Sequence, residues 1–494
     1  MKLVYGVNDK PKFAQLIILA FQQLLSIITA TLVVPVIING ACGTTMSSAA
    51  ALFGAGVGTI VYLLFTKSKS PVFLGSSFAF IGPMLTAFGG AISMAAGYIG
   101  LIIGAVMAAL VYVIIAIVVK FCGTKWINKI MPPVIIGPTV TLIGLSLAGN
   151  AMGDIVKANS APAMYHDYNL VALLCGLIAF FVIIICSVQK KYVMPMLIPF
   201  VIGIAAGYFA ASVFTVIGNV ADIDYLKIID WQPVVNNFVD AEGNFKGISA
   251  FFTVPEFAIV GAIKELVSGN ISDAVLAATE GNSTVITSGG VIEVIVAFLP
   301  VALVVFAEHI ADHKNLSSII EKDLIEDPGL KRTLLGDGCG SMAGTLFGIC
   351  PNTTYGESVG CVAITKNASV STITTTAFMC IVLSFFSPLT TALQTIPNCV
   401  MGGVCMTLYG FIAISGLKML KDVDLNVGKN LFVVSSILIS GIGGLKILIP
   451  YAFAENGAVS KTIQITTIAT SLIIGIVTNF VLTKIENSKN KNTK

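Results

Sequence analysis

Charge is what this chain has least of. Asp, Glu, Lys and Arg make up 11% of its 494 residues, under half of the about 25% usual in soluble domains, and Arg332 is the single arginine. With 56% hydrophobic residues and a mean hydropathy of +0.94, a water-soluble globule is excluded. The chain reads as an all-α polytopic membrane protein. A net charge of +3, scattered and not interleaved with aromatics, excludes nucleic acid as a partner. The ten cysteines form no CxxC pair and mostly lie inside apolar runs, which suits small core residues. No metal-ligand cluster and no nucleophile–base pair stands at a workable spacing, so neither a metal, another cofactor nor an enzyme activity is expected. No small-residue cleavage pattern follows Met1 to Lys12, and the first apolar run reads as a retained span.

Apolar runs of about 20 residues, enough to cross a bilayer as a helix, fall near 13–39, 44–65, 96–121, 132–151, 168–188 and 193–218, and again near 292–311, 334–350, 368–390, 396–417, 430–450 and 461–483. Pro71 to Gly89 and Pro351 to Thr365 mix Gly, Pro and hydroxyl residues and read as broken segments. Counting both gives about fourteen crossings. Lysines gather in alternate loops and in the tail, so those loops and both termini are expected on the cytoplasmic side of a cell membrane. The acidic 219–291 connection is expected outside, with a short amphipathic helix within Ala258 to Leu276 and a Gly/Ser/Thr linker over Gly281 to Gly290. Ser76-Ser77-Phe78 repeats as Thr353-Thr354-Tyr355, hydroxyl, hydroxyl, aromatic. Paired interrupted segments in corresponding halves point to a binding site between inverted repeats.

Two carboxylates stand where such a chain has no use for them. Glu308 closes an apolar run and Glu357 follows the second broken segment, although a charge at the bilayer centre costs roughly 2.5–3.5 kcal/mol. Each is therefore expected to face a polar cavity. Asp312, four residues after Glu308, shares its helix face, and a carboxyl pair at that spacing can share a proton. Glu308, Asp312 and Glu357 are the candidates for proton coupling. His309, one residue round the helix from Glu308, need not share the cavity. Non-helical backbone at membrane depth must line a cavity or lie in protein. An extended stretch followed by a half-helix would present free N–H groups, at Phe78 and Gly356. Carboxylate acceptors, backbone donors and the rings of Phe78 and Tyr355 together suit a planar heterocycle with alternating N–H and C=O groups. An anion would want arginine. Glu357 also suits a capping role at the half-helix.

At Gly75-Ser76-Ser77-Phe78-Ala79-Phe80, Ala307-Glu308-His309, Asp327-Pro328-Gly329-Leu330 and Asn352-Thr353-Thr354-Tyr355-Gly356-Glu357 the chain resembles the nucleobase–ascorbate transporter (nucleobase:cation symporter 2) family, and within it the uracil permeases. The resemblance covers all but the insertion near 258–290. It implies two inverted repeats of seven segments, with short strands in segments 3 and 10. Segments 1–4 (1–122) and 8–11 (292–390) would form a core domain, and segments 5–7 (123–218) and 12–14 (391–484) a gate domain. The outer loop would span 219–291 and the cytoplasmic tail 485–494. The residues matching Glu308 and Glu357 would hold the base, the amides of Phe78 and Gly356 would meet its carbonyls, and Tyr355 would lie against the ring. Ala30 and Tyr409 would approach from the first and twelfth segments. The implied activity is proton-coupled import of uracil by alternating access. A xanthine or other purine permease is the near alternative, an anion exchanger or channel on the same fold the distant one. A homodimer through the gate helices is compatible with this plan. Two departures stand out: Asp312 occupies a position where bacterial uracil permeases often carry histidine, and the family's first-segment Gln-His reads Gln22-Gln23 here.

Overall fold

The computed structural model describes residues 3–89, 94–123, 126, 131–158, 163–189, 195, 198–240, 242–268, 288–421, 423–453 and 459–492. Nine helices among the described residues are long and apolar enough to cross a bilayer. The first half runs α1 (Phe13–Cys42), α2 (Ser48–Phe65), strand β1 (Leu74–Ser76), a 3-10 turn at Phe78–Phe80 leading into α3 (Ile81–Gly89), α4 (Met94–Cys122), α5 (Pro133–Asp154), α6 (Leu170–Val188) and α7 (Pro199–Val220). The second runs α8 (Ser288–Ile320), α9 (Leu330–Phe347), strand β2 (Asn352–Thr354), α10 (Gly356–Thr365), α11 (Val370–Leu383), α12 (Asn398–Met419), α13 (Gly428–Ile442), strands β3 (Ile447–Phe453) and β4 (Val459–Ile465), and α14 (Thr467–Asn492). Local chemistry sets several starts. Ser47 Oγ accepts from the Ala50 N–H to open α2, and Asn169 Oδ1 accepts from Val171 and Ala172 to open α6.

Packing falls into two groups. α2 lies on α9 and α11, and α4 on α8 and α9; α5 lies on α12 and α13, and α12 also on α6. The groups meet where α8 touches α5 and α14 and where α1 touches α7. Lipid offers no hydrophobic drive between helices, so close backbone approach through small residues takes its place. At the α2–α9 crossing a Cβ on Gly54 would lie 2.6 Å from the Gly344 carbonyl, and one on Gly58 2.7 Å from the Gly340 carbonyl. The relation is mutual, with Gly340 against Gly58 and Gly344 against Gly54. A Gly-x-x-x-Gly step on each helix thus meets its counterpart about a local two-fold. Gly58→Leu would run into the Asn352 side-chain amide and, beside it, the Gly340 carbonyl, and is expected to lower stability by about 1–3 kcal/mol or more. Thermal unfolding in detergent checks this, and an unchanged midpoint would show that the crossing has room for the larger side chain.

The sequence pattern runs the thirteenth span to 450 and starts the fourteenth at 461. Instead α13 stops at Ile442, before Gly443 and Gly444, the latter at φ 73°, a left-handed conformation glycine adopts freely. Ile447–Phe453 and Val459–Ile465 then form an antiparallel hairpin, Ile447 pairing with Ile465, and β4 lies along α8. Apolarity alone does not separate helix from strand here; the Gly pair and the β-branched residues that follow do. In the 219–291 connection a helix covers Ala258–Ser268 and packs on α4. The rest of the expected amphipathic stretch and residues 281–287 of the linker lie outside the described residues, and residues 288–290 open α8.

Asp327-Pro328-Gly329-Leu330 joins α8 to α9. Lys69 Nζ, at 2.8 Å, and Lys322 Nζ, at 2.9 Å, both reach the Asp327 carboxylate, tying this loop to the one after α2. Hydrogen bonds from Lys69, then Lys322, hold the Asp327 carboxyl down to about 2, below the roughly 3.9 of a free Asp. The clasp is therefore fully formed above about pH 4 and is lost only as pH falls through about 2. Being solvent-exposed, it orders the loop more than it stabilises the fold. Gly329 at φ 93° permits the turn into α9.

Candidate functional site

The two broken segments meet. β1 and β2 pair antiparallel, with Leu74 opposite Thr354, Gly75 opposite Thr353 and Ser76 opposite Asn352. The ladder is closed at both ends by matched bonds, Ser77 N–H to the Pro351 carbonyl and Tyr355 N–H to the Phe73 carbonyl, each 3.1 Å. Backbone groups left over are met the same way on both sides. Thr59 Oγ1 of α2 accepts from the Leu74 N–H (3.0 Å) and Ser341 Oγ of α9 from the Asn352 N–H (2.8 Å), as extended backbone at membrane depth requires. Helix begins at Phe78 after one strand and at Gly356 after the other. The first N–H groups of a helix have no partner one turn back, so both starts present donors. The structural equivalence sets Phe78 against Gly356, one residue out of step with the hydroxyl, hydroxyl, aromatic repeat of the sequence, which set Phe78 against Tyr355.

Beside the ladder is a cavity of about 360 Å³. One wall is polar: Glu308 and Asp312 from α8, Glu357 from the first turn of α10, the hydroxyls of Ser76, Ser77, Thr353 and Thr354, and the rings of Phe78 and Tyr355. The other is apolar, with Val140 and Ile143 from α5, Pro199 and Phe200 from α7, and Leu408, Phe411 and Ile412 from α12. No lysine or arginine lines it among the described residues. Thr354 Oγ1 donates to Asp312 Oδ2 at 2.7 Å, fixing α8 to β2. A Cβ on Gly356 would meet nothing nearer than Asp312 Oδ1, at 3.9 Å, so that face of the backbone is open to the cavity. Gln23 of α1 donates to Ser358 Oγ of α10 at 2.7 Å and thereby braces the half-helix that carries Glu357. The Tyr355 ring lies over Gly75, where any side chain would collide with it.

Of the residues singled out in the sequence, Glu308, Asp312, Glu357, Phe78, Tyr355 and Gly356 come together here. Ala30 and Tyr409 are buried beside the cavity and do not line it; the Tyr409 ring meets Phe78 edge-on at 6.2 Å. α8 also carries a second pair at helical spacing. His309 Nδ1 is 2.7 Å from Asp337 Oδ2 and its other nitrogen 3.0 Å from Thr333 Oγ1, both partners on α9. His313 Nδ1 donates to the His309 carbonyl (2.7 Å), which leaves Nε2 facing the Tyr62 hydroxyl of α2 at 2.8 Å. His309, His313 and Asp337 are all fully buried. The acids of α8 thus face the cavity while its imidazoles anchor the helix from the adjoining face. Asp337 escaped the sequence reading, although a carboxylate inside the expected 334–350 span carries the same signal that marked Glu308.

The whole-chain comparisons agree with this picture. The Permease family pattern matches residues 14–449. The uracil permease of Bacillus caldolyticus is 33% identical over 483 residues, covering 97% of this chain and 95% of that one. The uracil permease of Escherichia coli K12 is 32% identical over 462 residues, covering 93% and 92%. Among solved structures, SLC26A9 superposes with a TM-score of 0.59 at 10% identity, over 96% of this chain and 66% of that one. Murine Slc26a9, an anion transporter in the inward-facing state, superposes with a TM-score of 0.58 at 11% identity, over 97% and 70%. At that identity the likeness speaks for the fold alone, a helical inverted-repeat transporter fold with interrupted central segments. Matched over most of its length by the family pattern and by these relatives, the chain belongs to the Permease family and is a multi-pass membrane protein.

Proposed function

We propose that this permease imports a nucleobase, uracil by preference, together with a proton. The observation that carries the reading is the cavity in which two half-helix starts and three carboxylates face an apolar wall. Uracil is a planar ring with two N–H donors and two carbonyls. Glu308 and Glu357 accept from the ring N–H groups, the amides of Phe78 and Gly356 donate to the carbonyls, and Phe78 and Tyr355 cover the ring faces. The names of the relatives support this substrate class, and among the described residues three carboxylates and no lysine or arginine line the cavity, which runs against an anion.

α1–α4 with α8–α11 act as a core unit that carries the polar wall, and α5–α7 with α12–α14 as a gate that carries the apolar one. Apolar side chains make no bonds to be broken when the gate slides past, which suits alternating access. The lysine-rich loops and both termini are cytoplasmic in this reading. Neutral uracil gives the membrane potential nothing to act on, so a proton on Glu308, Asp312 or Glu357 supplies the drive. One charge moved through 100 mV is worth about 2.3 kcal/mol, or roughly 50-fold accumulation.

Uptake of labelled uracil into proteoliposomes, with and without an imposed inward proton gradient, tests this. The expected result is accumulation only with the gradient, displaced by excess uracil and poorly by xanthine or ascorbate. Stronger displacement by xanthine would make the protein a purine permease. Accumulation indifferent to the proton gradient would remove proton coupling.

A further inference from the structure

Core and gate are joined at one end of the molecule by two stretches of chain, 221–257 leading from α7 towards α8 and 384–397 leading from α11 to α12. Neither is a free tether. On the gate side Thr215 Oγ1 of α7 accepts from the N–H groups of Ile228 and Ile229, each at 3.0 Å, and both isoleucines are buried. Trp231 Nε1 then donates to the Tyr208 hydroxyl of α7 at 3.2 Å, and that hydroxyl lies 2.9 Å from Thr395 Oγ1 of the second stretch. On the core side the Phe257 ring packs on Phe53 of α2 and Phe347 of α9, at 4.8 and 5.3 Å between centroids. Phe385 of the second stretch meets Phe53 at 5.8 Å. Each stretch is thus anchored at both ends.

Between the anchors the two stretches are fastened to each other. The Thr253 N–H donates to the Phe385 carbonyl at 3.1 Å and the Ser387 N–H to the Phe251 carbonyl at 2.9 Å, so that Phe252 and Phe386 form an antiparallel bridge. Beside it Asn237 uses both halves of its amide. Nδ2 donates to the Ala250 carbonyl at 2.8 Å, and Oδ1 accepts from Ser387 Oγ. Ser387 in turn opens the short helix Ser387–Gln394, which packs on the short helix Gln232–Phe238. One side chain therefore ties three points of the chain.

Two independent tethers would let the core tilt in many directions as it passes the gate, whereas two tied side by side leave one hinge line. Residues far from a ligand that guide such a movement alter turnover without touching the ligand. We infer that the two stretches move as one bridging body and that Asn237 is a positioning residue for transport, fastening them so that the core crosses the gate along a single path. The inference rests on the alternating-access reading and goes beyond it in giving the 219–291 connection a role. Neither Asn237 nor Ser387 lines the cavity, so substrate affinity has no reason to follow.

Asn237→Ala removes the fastener, and a disulfide can take its place. Phe252 and Phe386 face each other between the two ladder bonds, the antiparallel pair without mutual hydrogen bonds, whose Cα atoms stand roughly 4.5 Å apart. That lies within the about 4.4–6.8 Å a disulfide spans, and Phe252 is exposed to an oxidant. Uracil uptake into proteoliposomes and calorimetric affinity are measured for the full-length wild type, Asn237→Ala, the Phe252→Cys/Phe386→Cys pair and the triple variant. Each is taken oxidised and reduced, with peptide mass spectrometry to identify the new bond among the native cysteines.

Asn237→Ala is expected to slow uptake about fivefold or more, the rate cost of two hydrogen bonds at the low end of their worth, with the dissociation constant unchanged. The oxidised pair should transport as well as the reduced pair. Oxidation of the triple variant should restore most of the lost rate, and reductant should remove it again. A disulfide that stops uptake would overturn the inference, by showing that the two stretches part during the cycle. So would a cysteine pair that oxidant fails to join, wild-type uptake by Asn237→Ala, or a lost rate that the disulfide does not restore. If Asn237→Ala fails to fold, Ser387→Ala removes the same side-chain bond from the other partner and is read in the same way. A wild type that takes up no uracil brings down the nucleobase reading; wild-type uptake with an indifferent Asn237→Ala brings down this inference alone.

Discussion

Glu308→Gln is expected to weaken uracil binding by up to about a hundredfold and to abolish uptake. The substitution keeps the side chain's length and replaces an anionic acceptor with an amide, one half of which donates. Opposite a ring N–H, that donor either clashes or forces the amide to turn and give up its other contacts, and an unmatched buried polar contact costs about 1–3 kcal/mol. The weakened affinity follows from that figure, up to about a hundredfold; the loss of transport is larger, because a candidate proton carrier disappears as well. The fold has no reason to follow. α8 is anchored on its other face, by His309 to Asp337 and by His313 to Tyr62, and neither contact involves Glu308. Binding by calorimetry, uptake in proteoliposomes and a melting curve separate the outcomes. Near-wild-type affinity in the variant would take Glu308 out of the site; a collapsed melting curve would mean that it holds the helix after all.

How far the sequence leads depends on how local each signal is. The long apolar runs announce helices because nothing else buries them in lipid, and most spans lie where hydropathy sets them. The interruptions at 71–89 and 351–365 are legible for the opposite reason: Gly, Pro and paired hydroxyls there satisfy no helix, and the two segments do cross as strands. Glu308 and Asp312 share a face because four residues make about one turn. Contacts between distant elements are another matter. Nothing near Asp337 names His309 as its partner, twenty-eight positions earlier on another helix. The register of β1 on β2, which makes Phe78 equivalent to Gly356, is fixed by ladder pairing and cannot be read from a repeat of residue types. The hairpin after α13 was hidden in an apolar stretch whose warnings are Gly443-Gly444 and the β-branched residues that follow. Ala30 and Tyr409, carried over from the resemblance, lie close behind the cavity wall and not in it. Of the two, Tyr409 meets the ring of the lining residue Phe78 edge-on.

Asp312→Asn is expected to separate binding from coupling. Asn retains a carbonyl oxygen where Thr354 Oγ1 now donates at 2.7 Å, so the tie between α8 and β2 survives, and with it the shape of the polar wall. What disappears is the ability to carry a proton one turn from Glu308. Equilibrium affinity for uracil is therefore expected to stay within a few-fold of wild type. Exchange of external labelled uracil for internal unlabelled uracil, which needs no net proton movement, should persist. Accumulation driven by an imposed proton gradient should fall from as much as roughly 50-fold at 100 mV towards unity. His313→Gln is the matched control, since His313 faces Tyr62 on the side of α8 away from the cavity and its loss should leave coupling in place. Asp312→Ala, which breaks the Thr354 contact as well, should weaken binding in addition, and so distinguishes the structural part of Asp312 from its protonic part. If Asp312→Asn still concentrates uracil against its gradient when protons are driven inward, Asp312 is a strap between helix and strand, and the coupled proton travels on Glu308 or Glu357.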